Sequence, residues 1–148
     1  MINALSICAL VATMWNVPSP TEDRLRTCAR VINEAQLAFV DIDYAVALTY
    51  TESRFSKTAR SKAGAVGPFQ ILPKYHCPGG REKGCDLFHY GMEALIKYSR
   101  KHRGNWPEVL CHWNSGNVCN RRSRAFARTV IRRAKELKWK RRQAEASP

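Results

Sequence analysis

The chain has 148 residues, the length of one domain with short terminal extensions, which excludes a two-domain enzyme. Its 25 lysines and arginines outnumber its 12 acidic residues, and the formal net charge is +13. Such a charge attracts polyanions, among them nucleic acid, anionic lipid, lipopolysaccharide and acidic cell wall, without selecting one of them.

Residues 1–20 form an apolar leader that contains no charged side chain and ends in Pro18-Ser-Pro. The pattern favours a short secretory signal, although the usual basic start is absent. An N-terminal arm packed on the domain is the alternative, and the apolar run is too short to predict a membrane span. The predicted domain covers residues 21–142, and residues 143–148 form a tail.

Two helices are predicted next. Residues 21–36 begin with Thr-Glu-Asp, a favourable helix start, and carry one apolar face. Residues 41–53 form the second helix, with Asp41 as its N-cap. Ala45, Leu48 and Glu52 share one face of this helix, so a carboxylate lies at the end of an apolar stripe.

Partial desolvation of Glu52 would raise its pKa and favour the protonated form. A carboxyl group that keeps its proton near neutral pH can serve as a general acid. The alternative for a single glutamate at a helix end is a solvated or ion-paired side chain.

Three short motifs follow one another along the chain. Glu-Ser-Arg-Phe begins at Glu52, Gly-Ala-Val-Gly-Pro-Phe-Gln-Ile begins at Gly64, and His-Trp-Asn-Ser-Gly begins at His112. Together they resemble the motifs of the catalytic domain shared by soluble lytic transglycosylases and goose-type lysozymes, which cleave peptidoglycan. The resemblance covers residues 30–138 and implies a mainly α, single lysozyme-like helical domain.

The resemblance implies that Glu52 is the catalytic acid. It also leads us to expect contacts with the sugar chain from seven further residues: Ser53, Gly67, Phe69, Gln70, Trp113, Asn114 and Gly116. Phe69 has two interpretations, stacking on a sugar ring or filling the core. Trp113 stands where the family has a tyrosine, and the late family glutamate has no counterpart in residues 123–130.

Four cysteines occur as two pairs, each with a spacing of eight residues. We expect the local disulfides Cys77–Cys85 and Cys111–Cys119, although other pairings are possible. Zinc binding with nearby histidines is the rival interpretation, and the wide spacing disfavours it. Cys28 is expected to be a buried free thiol.

Residues 121–142 form a predicted amphipathic helix that is strongly basic. Its charged face is either an ordinary solvated surface or a tether to anionic cell-surface polymers, lipid or nucleic acid. An irregular, disulfide-linked loop over residues 71–88 completes the predicted fold.

The predicted function is cleavage of the β-1,4 bond between N-acetylmuramic acid and N-acetylglucosamine, by a lytic transglycosylase that needs no metal or cofactor. A hydrolytic lysozyme would need a second carboxylate, for which Asp86, Glu93 and Glu108 are candidates. A non-catalytic cationic protein that binds cell wall or nucleic acid is the remaining alternative. Disulfides indicate an oxidising compartment, so we expect a periplasmic or secreted protein, with a virion-associated enzyme as the alternative. We expect it to act on peptidoglycan glycan strands as a monomer, unless it is part of a virion or secretion complex.

Overall fold

The computed structural model describes residues 2–147, and over this range the protein is mainly α-helical. The helices are α1 Ala4–Met14, α2 Thr21–Leu37, α3 Ile42–Ser53, α4 Pro73–His76, α5 Leu87–Lys101, α6 Trp106–Ser115 and α7 Arg121–Ala146, with a 3-10 turn at Pro78–Gly80. Isolated bridges join Val66 to Arg60 and to Ile71, and residues 2–147 contain no β-strand. The predicted mainly α, single-domain fold is confirmed.

Helix α1 packs on the domain through Ile7, Cys8 and Val11, which are all buried. Cys8 forms a disulfide with Cys28 of α2. The expectation of a free Cys28 thiol is therefore wrong, because the apolar N-terminal segment folds back and brings the second sulfur to it. None of the helices within residues 2–147 is long and apolar enough to cross a membrane.

Helix α3 lies at the centre of the molecule and packs between α2 and α7. Its six consecutive residues 45–50 are all buried, so its surroundings enclose it on every side. Asp41 caps it as predicted, accepting hydrogen bonds from the backbone N–H groups of Asp43 and Tyr44. The course of α3 is consequently fixed by its neighbours along nearly its whole length.

Two arginines of α7 hold the two ends of α3. At the first turn, Arg141 donates two hydrogen bonds of 2.8 Å to the carboxylate of the buried Asp43. At the last turn, Arg133 donates to the Thr51 hydroxyl at 2.9 Å and lies over the ring of Tyr50. The basic C-terminal helix therefore has a structural role along its inner side, in addition to its charged outer face.

We predict that Arg141→Met destabilises the protein by about 3 kcal/mol, because it leaves the Asp43 carboxylate buried without its partner. Chemical denaturation followed by circular dichroism measures this loss. Arg142→Met is the matched control, since Arg142 is exposed on the next position of the same helix. Equal stabilities of the two variants would contradict the proposed anchoring of α3 by the ion pair.

Candidate active site

A cleft of about 1010 Å³ opens beside the C-terminal end of α3. Residues of the 61–72 segment line one part of it, and α5 together with the end of α6 and the turn that follows line another. Glu52 is the one carboxylate among the described residues that line this cleft. The cleft thus contains a single acidic group, and two lysines, Lys97 and Lys101, also line it.

Backbone geometry at the end of α3 places Glu52 at the cleft. Arg54 adopts the left-handed conformation with φ 50°, and its N–H bonds to the carbonyl of Tyr50. Phe55 also has a positive φ of 62° and is completely buried. Two successive residues of this conformation reverse the chain immediately after Ser53, so the helix ends there and its last turn, with Glu52, borders the cleft.

Burial raises the pKa of Glu52 from its ordinary value of 4.5 to about 7, because the charged carboxylate is desolvated. An interaction with the Trp113 side chain, whose indole N–H is its only donor, lowers the pKa to a smaller extent. No lysine or arginine in residues 2–147 forms an ion pair with this carboxyl group. Glu52 therefore retains a proton at neutral pH in a substantial fraction of molecules.

Ser53 and Gln70 shape the loop that faces Glu52. The Ser53 hydroxyl donates to the carbonyl of Pro68 at 2.9 Å. Gln70 has a φ of 54°, and its side-chain nitrogen donates to the carbonyls of Ala59 and Gly67. Gln70 also lines the cleft, whereas Ser53 does not. The hydrogen bonds that these side chains make join α3 to the loop and hold the loop in one conformation.

Phe69 is fully buried and lies behind the cleft wall. It packs against Gly91 of α5 so closely that a Cβ at Gly91 would lie 2.3 Å from the Phe69 ring. Gly67 is likewise buried, with φ 77°, and a Cβ there would lie 2.9 Å from Leu87. Of the residues expected to contact sugar, Ser53, Gly67 and Phe69 thus support the wall rather than line the cleft.

Trp113, Asn114 and Gly116 line the cleft opposite the loop. The Trp113 ring packs edge-on against Tyr98 and Phe69, with centroid distances of 5.5 and 6.4 Å. Gly116 ends α6, and its carbonyl oxygen accepts a hydrogen bond of 2.6 Å from the His112 ring nitrogen Nδ1. These contacts fix the third motif next to Glu52, although the two segments are separated by sixty residues of sequence.

Among the cleft residues that sequence reasoning missed, those with aromatic or ionisable side chains are Tyr75, His76, Lys97, Tyr98 and Lys101. Three of them lie on α5, where positions 97, 98 and 101 share one helix face. That spacing was the available signal, but nothing in the sequence indicated which face of α5 borders the cleft.

The candidate second carboxylates lie elsewhere. Asp86 caps α5 and accepts a hydrogen bond of 2.9 Å from Arg30. Glu108 accepts one of 2.6 Å from Arg124. Glu93 lines a smaller, adjoining cavity that shares Tyr75, His76 and Lys97 with the cleft, but it does not line the cleft itself. Each of these carboxyl groups is therefore outside the cleft that contains Glu52.

The structure pairs Cys77 with Cys85 and Cys111 with Cys119, the two pairings that the sequence favoured. Within residues 2–147, one group of side chains has a spacing suitable for a metal ion, namely Glu108, His112 and Cys119. The sulfur of Cys119 is bonded to Cys111, so it is not available as a thiolate ligand. This group is better explained as a structural cluster beside the disulfide.

The raised pKa predicts that ionising Glu52 destabilises the fold. The folded protein binds the Glu52 proton more tightly than the unfolded chain does. The protonated carboxyl group therefore stabilises the fold fully below about pH 4.5, and this stabilisation is lost as pH rises through 7. As pH rises from about 4.5 to 7, the wild type should lose about 3 kcal/mol of stability and Glu52→Gln should not. The stability of the variant relative to the wild type should therefore increase by that amount.

Denaturation midpoints measured across this pH range test the prediction. Glu22→Gln is the control, because the Glu22 side chain is 80% exposed on α2. A stability difference between Glu52→Gln and wild type that does not vary with pH would show that Glu52 has an ordinary pKa.

Comparison with protein families agrees with this geometry. The family model described as the transglycosylase SLT domain matches residues 30–135, which is more than half of the chain. The match includes Glu52, the loop of Gln70 and the last turn of α6, which contains Trp113. No curated protein matches the sequence. The chain therefore belongs to the transglycosylase SLT domain family, as its three motifs predicted.

Proposed function

We propose that the protein is a non-hydrolytic lytic transglycosylase that cleaves the β-1,4 bond between N-acetylmuramic acid and N-acetylglucosamine. Membership of the SLT family supports peptidoglycan cleavage in general. One observation supports the transglycosylase reaction in particular: Glu52, with a pKa near 7, is the single carboxylate among the described cleft residues.

A single carboxyl group is sufficient for this reaction because it acts twice. Protonated Glu52 donates its proton to the glycosidic oxygen as the bond to the anomeric carbon breaks, which releases the leaving sugar as an alcohol. The 6-hydroxyl of the muramic acid then attacks that anomeric carbon, and the ionised Glu52 accepts the hydroxyl proton. The product is a 1,6-anhydro sugar, no water is consumed, and Glu52 regains its starting state.

The raised pKa suits both steps. A group that titrates near the working pH donates and accepts a proton at comparable cost, which is the usual optimum for a general acid that also acts as a base. A hydrolase of the ordinary kind would require a second carboxylate to act as nucleophile or to activate water. Asp86 and Glu108 are engaged by arginines outside the cleft, which favours the transglycosylase.

The surroundings of the site support further parts of the proposal. Glycan strands fit a cleft whose lining includes Gln70, Trp113 and Asn114 as polar and aromatic groups. The outer face of α7 presents a series of exposed cations, which would hold a monomeric enzyme near anionic cell-surface polymers or lipid. Three disulfides support a periplasmic or extracellular location.

Mass spectrometry of the soluble products from purified peptidoglycan tests the reaction. We expect 1,6-anhydromuropeptides from the wild type. A general acid contributes about 10²–10⁴-fold to the rate. The Glu52→Gln variant should therefore cleave peptidoglycan at least about 10²-fold more slowly than the wild type. Glu22→Gln, which alters an exposed glutamate in the first turn of α2, should retain full activity.

Two outcomes would contradict the proposal in different ways. Products with reducing ends would identify a hydrolase and require a second catalytic group. Equal release of products by Glu52→Gln and by the wild type would remove Glu52 from the mechanism.

A further inference from the structure

Three large hydrophobic side chains are exposed at one end of the molecule. Leu37 ends α2, Phe39 lies in the short turn between α2 and α3, and Trp139 lies in the C-terminal third of α7. Their exposed fractions are 78%, 98% and 57%. Because Asp43 in the first turn of α3 is bonded to Arg141 of α7, the turn between α2 and α3 and the C-terminal part of α7 meet at this end.

The backbone at Phe39 makes its exposure unusual. Phe39 has a φ of 57°, a conformation that is unfavourable for a bulky side chain and that glycine or asparagine adopts more easily. Since the side chain is in solvent, it gains no packing that would offset this cost. Folding of the chain by itself therefore does not account for a phenylalanine in this turn, whereas burial against a partner does.

A row of cations accompanies Trp139 on the outer face of α7. Helical spacing places five of them on one face with the indole ring: Arg128, Arg132, Lys135, Lys138 and Arg142. All five are exposed, and within residues 2–147 none of them forms an ion pair. The two acids of α7 point elsewhere, because Glu136 accepts a hydrogen bond from the Trp15 ring and Glu145 lies 3.8 Å from Arg141.

The combination of cations and exposed hydrophobic side chains favours a lipid surface over a soluble polyanion. The cations alone would suit any polyanion. A nucleic acid in water could stack a base on Trp139, but it would leave Leu37 and Phe39 in solvent. A bilayer with anionic headgroups provides both the negative charge and an apolar phase, and aromatic rings and lysine stems both occupy the boundary between them.

We propose that this end of the molecule binds peripherally to a bilayer that contains anionic phospholipid. The docking surface consists of the three exposed hydrophobic side chains, Leu37, Phe39 and Trp139, and the five cations of the outer row of α7. Glu52 lies about 14 Å further along α3 than Asp43, so the catalytic cleft is at the end of α3 away from the bilayer. The docking itself does not depend on the reaction proposed for Glu52.

Flotation of the full chain with large unilamellar vesicles measures the partition coefficient. The vesicles contain phosphatidylcholine alone, or phosphatidylcholine and phosphatidylglycerol in equal parts. We expect binding to the mixed vesicles and far weaker binding to the neutral ones. Lys138→Gln should weaken binding to the mixed vesicles by about fivefold, the contribution of one cation at such a surface. Lys57→Gln is the matched control, because Lys57 is exposed in the loop beyond the other end of α3.

The apolar part of the surface is tested separately. Phe39→Asn and Trp139→Gln should each weaken binding to the mixed vesicles by roughly three- to tenfold. Asparagine tolerates the backbone conformation at position 39, and glutamine suits the exposed helix position 139, so both variants should fold. Val118→Asn is the control, because Val118 is 74% exposed just before the first turn of α7, at the far end of that helix.

Insertion of the indole ring is measured by fluorescence quenching. Phospholipids with brominated acyl chains should quench the Trp139 emission, which is the difference between the spectra of the wild type and of Trp139→Phe. Quenching shows that the ring reaches the acyl-chain boundary, which contact with headgroup charge alone would not produce.

Three results would overturn the inference: no binding of the wild type to the mixed vesicles, equal partitioning into neutral and mixed vesicles, or equal binding by Phe39→Asn, Trp139→Gln and Val118→Asn. The last result would mean that charge alone attracts the protein, and competition by single-stranded DNA would then identify a soluble polyanion as the partner. Vesicle binding is measured without glycan, so a wild type that binds vesicles but releases no anhydro products would refute the proposed function and leave this inference standing.

Discussion

The desolvation of one carboxyl group at the end of a buried helix is the constraint on which this structure depends. Helix α3 is enclosed over residues 45–50, and its last turn carries Glu52 to the edge of the cleft. Arg141 and Arg133 of α7 hold its two ends, and Ser53 joins it to the facing loop. Because these contacts fix the helix on all sides, Glu52 cannot easily move outward into solvent to regain its hydration.

The burial of Glu52 lowers the stability of the fold and favours the protonated form of its carboxyl group. A buried carboxylate without a cationic partner weakens the fold at neutral and alkaline pH. In the proposed mechanism, the same burial keeps on Glu52 the proton that bond cleavage needs. The disulfides Cys77–Cys85 and Cys111–Cys119 restrain the segments beside the cleft, and the buried Asp43–Arg141 ion pair holds the opposite end of α3. Rigid support around a desolvated functional group holds that group in its functional position.

The sequence predicted what depends on local pattern and could not predict what depends on distant packing. The periodicity of residues 41–53 indicated α3 and the position of Glu52, and the eight-residue spacings indicated two of the disulfides. The Cys8–Cys28 bond joins an apolar leader to the first domain helix, and no local signal links them. The smaller cavity lined by Glu93 also required the structure, because it depends on how α5 is oriented against the Tyr75 segment.

The most direct measurement is the titration of the Glu52 carboxyl group by carbon-13 NMR, with Glu52→Gln used to assign the signal. The structure predicts a pKa of about 7, since burial outweighs the opposing contribution of Trp113. Trp113→Phe should move this pKa further upward, because it removes the one donor of that side chain. A Glu52 pKa near the ordinary value of 4.5 would contradict the account, because the carboxyl group would then hold no proton for the glycosidic oxygen at neutral pH.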